Sequence, residues 1–224
     1  MEHRIATTLL QLTHGLIQEN ETEYRKCVSW FVDWCEKHFL LLNVKKTKEL
    51  IVDFRNKKNP LQPLYIKNER VDQVDSYKYL GLTIDKELSW KDHANTVYKK
   101  FNSRIYFLRK LKYFNVDNTL LELFYKSIIE SVISFSLVCW GGNVRTNNKQ
   151  KLDSVIRKAC KICKASFPDF DYLLVLNCQR KILSIKSDIS HPLFGRIRYS
   201  ERSNRPIPIR CKRERYKNSF YHHP

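Results

Sequence analysis

The sequence predicts an α+β chain in which a small mixed part precedes a helical one. Three observations carry this. A helical stripe (Tyr24, Cys27, Val28, Phe31, Cys35) is followed by short alternating apolar runs between Glu49 and Ile84. From Trp90 the period changes, and apolar residues recur at three- and four-residue spacing as far as Ala165. Period two places side chains on the two faces of a strand and period 3.6 gathers them on one face of a helix, so the switch marks a change of architecture near Asp85–Leu88.

Taken in order, Asn20 opens the first helix with Glu23 three residues on as a capping box. Trp34 widens its buried stripe, Trp30 and Trp34 are expected in the core, and the helix ends near His38. Glu49 to Phe54 alternates and reads as a strand with Leu50, Val52 and Phe54 on one face. A basic loop from Arg55 to Pro63 follows. Leu64–Lys67 and Arg70–Val74 read as a hairpin turning at Asn68-Glu69, and YKYLGLTI (Tyr77 to Ile84) as another strand pattern. From Trp90 to Lys112, Ala94, Val97, Phe101, Ile105 and Leu108 form an apolar stripe surrounded by Lys99, Lys100, Arg104, Arg109 and Lys110. Asp117–Ser136 and Asn148–Ala165 are further helical patterns, joined by a loop with Trp140, Gly141 and Gly142. Beyond Ser166 periodicity fades, and 12 Lys and Arg stand against 5 Asp and Glu as far as Pro224. That stretch is expected to be an irregular, poorly ordered basic tail. The predicted organisation is 1–88, 89–165 and 166–224.

Composition narrows the partner. The chain has 224 residues, 42% hydrophobic, and 41 Lys and Arg against 23 Asp and Glu, giving a net charge of +18 and a pI near 9.6. Such a field favours a polyanion, with nucleic acid first and an anionic membrane surface second. No run of about 18 apolar residues suggests a membrane span. The start lacks the apolar core of a signal peptide, and seven cysteines, an odd number, suit reduced thiols. The expectation is an intracellular protein, nuclear or cytoplasmic.

Catalytic motifs are sparse. Cys160 and Cys163 form C-x-x-C inside a helical pattern with no second pair at finger spacing, so zinc with Cys178, His191 or Cys211 is disfavoured, as is a ligand role for His222 and His223. Non-haem iron oxygenases need two His and a carboxylate, and no His-x-Asp or His-x-Glu occurs. The five glycines never approach G-x-G-x-x-G, and no G-x-S-x-G exists. No catalytic residue, metal or cofactor is expected. Asp33, Asp53, Asp72, Asp75 and Asp85 read as surface or cap residues. Tyr77, Tyr79, Tyr106, Phe107 and Tyr113 are expected to pack in the core rather than stack on bases.

Read together, WCEKHFLLLNVKKTKELIVDF, VDSYKYLGLTIDKELSW, KKFNSRIYFLRKL, FYKSIIESVISFSLVCWGGN and RYKNSF resemble the C-terminal half of a LINE-type (non-LTR) retrotransposon reverse transcriptase, in the family's order. The resemblance implies a partial palm, a helix with short antiparallel strands, followed by a helical thumb-like bundle. It places Asn43-x-x-Lys46-Thr47 beside an incoming nucleotide, with Lys46 at the position held to protonate leaving pyrophosphate and Lys45 in the same cluster. YLGL, with Tyr79 and Gly81, resembles the primer grip. The basic residues Lys99, Lys100, Arg104, Arg109 and Lys110 would track a nucleic-acid backbone. Where the family carries its paired catalytic aspartates this chain has RIATTLLQLTHGLIQEN, and its first Asp is Asp33. Two-metal nucleotide transfer needs that carboxylate pair. The implied function is therefore a catalytically inactive remnant with residual, non-specific RNA or DNA binding, able to associate through an exposed sheet edge. The segment Asn20–Leu88 is also similar to the N-terminal domain of AlkB homologue 8, an alkylated DNA repair protein. That label implies methyltransferase and 2-oxoglutarate/iron dioxygenase activities.

Overall fold

The computed structural model describes residues 5–6, 19–54, 62–202, 206–207 and 217. Thr7, Thr8, the loop from Arg55 to Leu61, Cys211, His222 and His223 lie outside them, as does RYKNSF apart from Lys217. The chain divides into two units, Met1–Leu88 and Ser89–Pro224. Helices and small strand pairs make it α+β.

In the first unit, α1 (Glu19–Lys37) carries an inward line of Tyr24, Val28, Val32 and Cys35. It stops because Phe39 takes a left-handed conformation (φ 55°) and the Leu40 amide turns back to the Cys35 carbonyl at 2.8 Å. The strands are short. β1 (Ile5–Ala6) pairs in parallel with β2 (Leu41–Leu42), and β3 (Lys48–Glu49) in parallel with β6 (Asp72–Gln73). β4 (Tyr65–Ile66) and β5 (Glu69–Arg70) form a hairpin, as do β7 (Ser76–Tyr79) and β8 (Leu82–Asp85). Val28, Leu64, Ile66 and Val71 make the unit's small core.

Several expectations change here. The strands are not all antiparallel, because the β4–β5 hairpin lies between β3 and β6 in sequence and serves as the crossover that a parallel pair requires. The strand expected over Glu49–Phe54 is only Lys48–Glu49. After the Val74 amide bonds to the Glu49 carbonyl at 2.9 Å, the partner chain turns away into β7. The first hairpin turns at Lys67-Asn68 (φ 52° and 62°), one residue earlier than expected. YKYLGLTI is two strands, folded at Leu80-Gly81 (φ 44° and 90°). Both are two-residue loops with two positive φ angles, the twist that matches flanking strands. Trp30 and Trp34 are 64% and 37% exposed, because two-residue strands cover only one side of α1. Trp34 instead stacks on Phe31 (6.0 Å) and lies 4.4 Å from the His38 ring.

The second unit is helical. α2 (Lys91–Tyr113) buries Ala94, Val97, Phe101, Ile105 and Leu108, the stripe read from sequence. It ends at Asn115 in the left-handed region (φ 57°). α3 (Asn118–Phe124), capped by Asp117 through the Thr119 amide, runs into a π-helical turn (Tyr125–Glu130) and α4 (Ser131–Ser134). Leu121, Tyr125, Ile129 and Ile133 are all buried. A strict four-residue repeat drifts about 40° per step around an α-helix, and the wider π turn absorbs that drift. After a break at Ser136 (φ 50°) come α5 (Leu137–Trp140), α6 (Thr146–Cys163) and α7 (Phe170–Ser187). Asn118–Asn143 is long and apolar enough to cross a membrane by length and composition. Here it is interrupted at Ser136, and its Leu121–Ile133 line is buried within the unit.

α7 contradicts the expectation of a poorly ordered tail from Ser166. Asp169 caps it by accepting from the Tyr172 amide (2.8 Å), and Asp153 of α6 accepts from the Phe170 amide (2.9 Å). Phe170, Leu173, Leu174, Cys178, Ile182 and Ile185 then bury one face. Basic side chains on the other faces raise the charge of the segment without preventing that burial.

His93 is 3% exposed and meets the rings of Trp90 (6.3 Å) and Trp140 (5.0 Å) edge to face. Burial, with Lys100 adding, lowers its pKa from 6.5 to about 4. The folded state thus holds His93 neutral over a range in which the unfolded chain protonates it. Stability from this group is complete above pH 6.5 and declines as pH falls towards about 4. The expected loss is roughly 2 kcal/mol. Urea midpoints measured at pH 7 and pH 4.5 (roughly the ends of the titration) for wild type and His93→Leu check it, the variant showing the smaller pH-dependent drop.

Candidate nucleic-acid interface

The positive charge is unevenly shared. In residues 1–88, 14 Lys and Arg stand against 13 Asp and Glu; in residues 89–224, 27 stand against 10. The sites read from sequence therefore fall in two different electrostatic settings.

In the first unit, Asn43 caps a 3-10 turn (Val44–Lys46): its Oδ1 accepts from the Lys46 amide (3.1 Å), and the Thr47 hydroxyl donates to the Asn43 carbonyl (2.9 Å). This explains the Asn-x-x-Lys-Thr spacing locally, since residues three and four apart meet across one turn. Lys45 and Lys46 are exposed, while Lys48 donates to Asp72 at 2.5 Å and holds that carboxyl below its usual range. Asp75 pairs with Lys86 (2.9 Å), and Asp85 accepts from the Glu87 amide (3.2 Å). Tyr79 and Gly81 sit on the β7–β8 hairpin, Tyr79 half-buried. Glu49 accepts from the Tyr24 hydroxyl (3.2 Å), and burial raises both pKa values.

The second unit presents a different surface. Opposite the buried stripe of α2, Lys99, Tyr106, Lys110 and Tyr113 recur at i, i+7, i+11 and i+14 and so share one face. Tyr106 is 55% exposed and Tyr113 77%. The Lys110 ammonium lies 5.7 Å from the Tyr106 ring centre and 6.0 Å from that of Tyr113. Two edge-to-face pairs complete the surface, Tyr106–Phe107 (5.6 Å) and Tyr113–Phe114 (5.4 Å). Lys99, Lys100, Arg109 and Lys110 are exposed and make no ion pair among the described residues. Arg104 differs, because its guanidinium donates to the Ile128 carbonyl and ties α2 to the π turn. Exposed Lys151, Arg157, Lys158 and Lys161 stand on α6, which packs against α2.

Tyr106, Phe107 and Tyr113 were expected in the core, and their exposure overturns that. Tyr77 and Tyr79 are half-buried. The sequence does carry the signal: Tyr106 and Tyr113 fall on the opposite side of α2 from Phe101, Ile105 and Leu108. Phe114 was not singled out at all.

No group of three His, Cys, Asp or Glu able to hold a metal occurs among the described residues. Cys160 accepts from the Phe167 amide (3.4 Å) and Cys163 is buried. Cys178 is buried in α7 with its thiol pushed up to about 11. His191 Nδ1 accepts from the Leu193 amide (3.1 Å), and its Nε2 lies 3.1 Å from the Lys181 ammonium.

A family described as alkylated DNA repair protein alkB homolog 8, N-terminal, matches residues 90–131. That span contains the whole of α2, α3 and the π turn. It lies outside Asn20–Leu88, where the sequence had suggested this similarity, so the likeness belongs to the cationic helical unit. No curated protein and no solved structure matches the chain, and the comparisons lend no support to the reverse-transcriptase resemblance.

Proposed function

We propose that the chain is a nucleic-acid-binding segment of the alkylated-DNA-repair type and that its exposed α2 face is the contact surface. One observation carries this reading: the family match on residues 90–131 coincides with the helix whose exposed cations make no ion pair among the described residues. The 2-oxoglutarate/iron oxidation implied by the AlkB homologue 8 label needs two His and a carboxylate, and no such group gathers among the described residues. The proposed contribution is therefore to hold the nucleic acid for such chemistry rather than to perform it. This reading takes precedence over that of an inactive reverse-transcriptase remnant, which the family match does not favour. Both predict the same physical behaviour, a sequence-tolerant polyanion site without turnover.

The test is fluorescence anisotropy with a labelled oligonucleotide across a salt series. With four cations engaged, the slope of log K against log salt is about −3, so affinity falls roughly 50-fold between about 50 and about 200 mM salt. A salt-independent affinity contradicts the reading. Oxidation of a methylated oligonucleotide by the chain with iron and 2-oxoglutarate would contradict its non-catalytic part.

A further inference from the structure

Resting on the nucleic-acid reading above, we infer that Tyr106 and Tyr113, with Lys110 between them, form a stacking platform for unpaired bases, so that the chain prefers single strands to duplex.

A duplex turns its phosphates outward and keeps its bases stacked inside. A surface tracking duplex therefore gains from Lys and Arg but nothing from open rings. Single-strand surfaces combine a cationic track with aromatic faces on which successive bases stack, and this works for any sequence because every base has a π-face. α2 has both parts. Its two tyrosines are more than half exposed and seven residues apart, about 10 Å along the helix. That is about three steps of a strand at 3.4 Å each. Lys110 stands near both rings at 5.7 and 6.0 Å. It can therefore neutralise the phosphate of a nucleotide whose base meets either ring. Phe107 and Phe114 hold their neighbours edge-on, which restricts ring rotation and lowers the ordering cost of binding. Lys99 and Lys100 extend the charge towards the helix start, and Arg109 flanks Lys110.

Aromatic and cationic exposure together also suit an anionic lipid surface, so the experiment includes one. The full chain is titrated against a labelled single strand, the same sequence as duplex, and vesicles of phosphatidylcholine with and without phosphatidylserine. Wild type should bind the single strand about tenfold more tightly than the duplex. Tyr106→Ala and Tyr113→Ala should each weaken single-strand binding about tenfold, within the range of stacking losses of roughly five- to 150-fold. Duplex affinity should stay within about twofold, and Tyr106→Phe, which keeps the ring, should retain wild-type binding. Circular dichroism confirms that each variant is folded. Equal losses on both nucleic acids, or none on either, overturn the stacking platform while leaving the nucleic-acid reading intact. Absence of binding to both at low salt brings down that reading as well. Phosphatidylserine-dependent vesicle binding that Tyr113→Ala abolishes, with single-strand binding unchanged, overturns the inference by assigning the face to lipid.

Discussion

Trp140→Ala lowers the stability of the second unit by about 3–5 kcal/mol, the loss typical of a fully buried large aromatic cut back to a methyl. Trp140 has no exposed surface. Its ring lies 5.0 Å from His93 and 5.7 Å from Phe170, so it joins α2, α5 and α7 in one cluster. Its indole N–H donates to the Phe135 carbonyl at 3.1 Å, across the break that separates α4 from α5. Alanine removes the ring contacts and that bond together, and the surrounding helices cannot close the cavity fully. Loss on this scale lowers Tm by on the order of 10 °C or more for a unit of this size. Thermal unfolding followed by far-UV circular dichroism reads it. Trp140→Phe keeps most of the ring, loses the indole donor, and should fall between alanine and wild type. Equal Tm for Trp140→Ala and wild type would mean that these helices do not share the core described.

The second large effect concerns charge. Replacing Lys99, Lys100, Arg109 and Lys110 together by glutamine should reduce oligonucleotide affinity about 100-fold at low salt. The slope of log K against log salt should become less negative by about 3, since each phosphate contact contributes about 0.7 to 0.9. Folding should be little affected, because these side chains are exposed and make no ion pair among the described residues. Gln substitution at Lys45 and Lys46 is the matched comparison. They are exposed too, but they sit in the unit whose charges nearly cancel, and removing them should cost only a few-fold. A larger loss there than on α2 would move the interface to the first unit.

The two regions differ in how far the sequence shows them. The α2 stripe from Ala94 to Leu108 was legible because five apolar residues at helical spacing leave little alternative once a second helix covers them. α1 was legible in its bounds but not in its buried width. A 3.6-residue pattern locates a face without saying how much protein stands in front of it, so Trp30 and Trp34 read as core. YKYLGLTI keeps alternating through its turn, so only Gly81 betrays the hairpin. In α7, Phe170, Leu173, Leu174 and Cys178 already mark a face, which averaging charge over the whole basic tail obscures. The interface was half legible. Its cations follow from composition, whereas Tyr106, Phe107 and Tyr113 count as apolar in any pattern and become surface because no neighbouring helix among the described residues covers that side of α2.

Photo-crosslinking of the full chain to a single strand carrying 4-thiouridine, followed by mass spectrometry of the linked peptides, tests the central claim most directly. Crosslinks concentrated on the α2 peptides that carry Tyr106 and Tyr113, and competed away by unlabelled single strand, are the predicted result. Crosslinks confined to the Asn43–Thr47 turn and the Tyr79–Gly81 hairpin would contradict it.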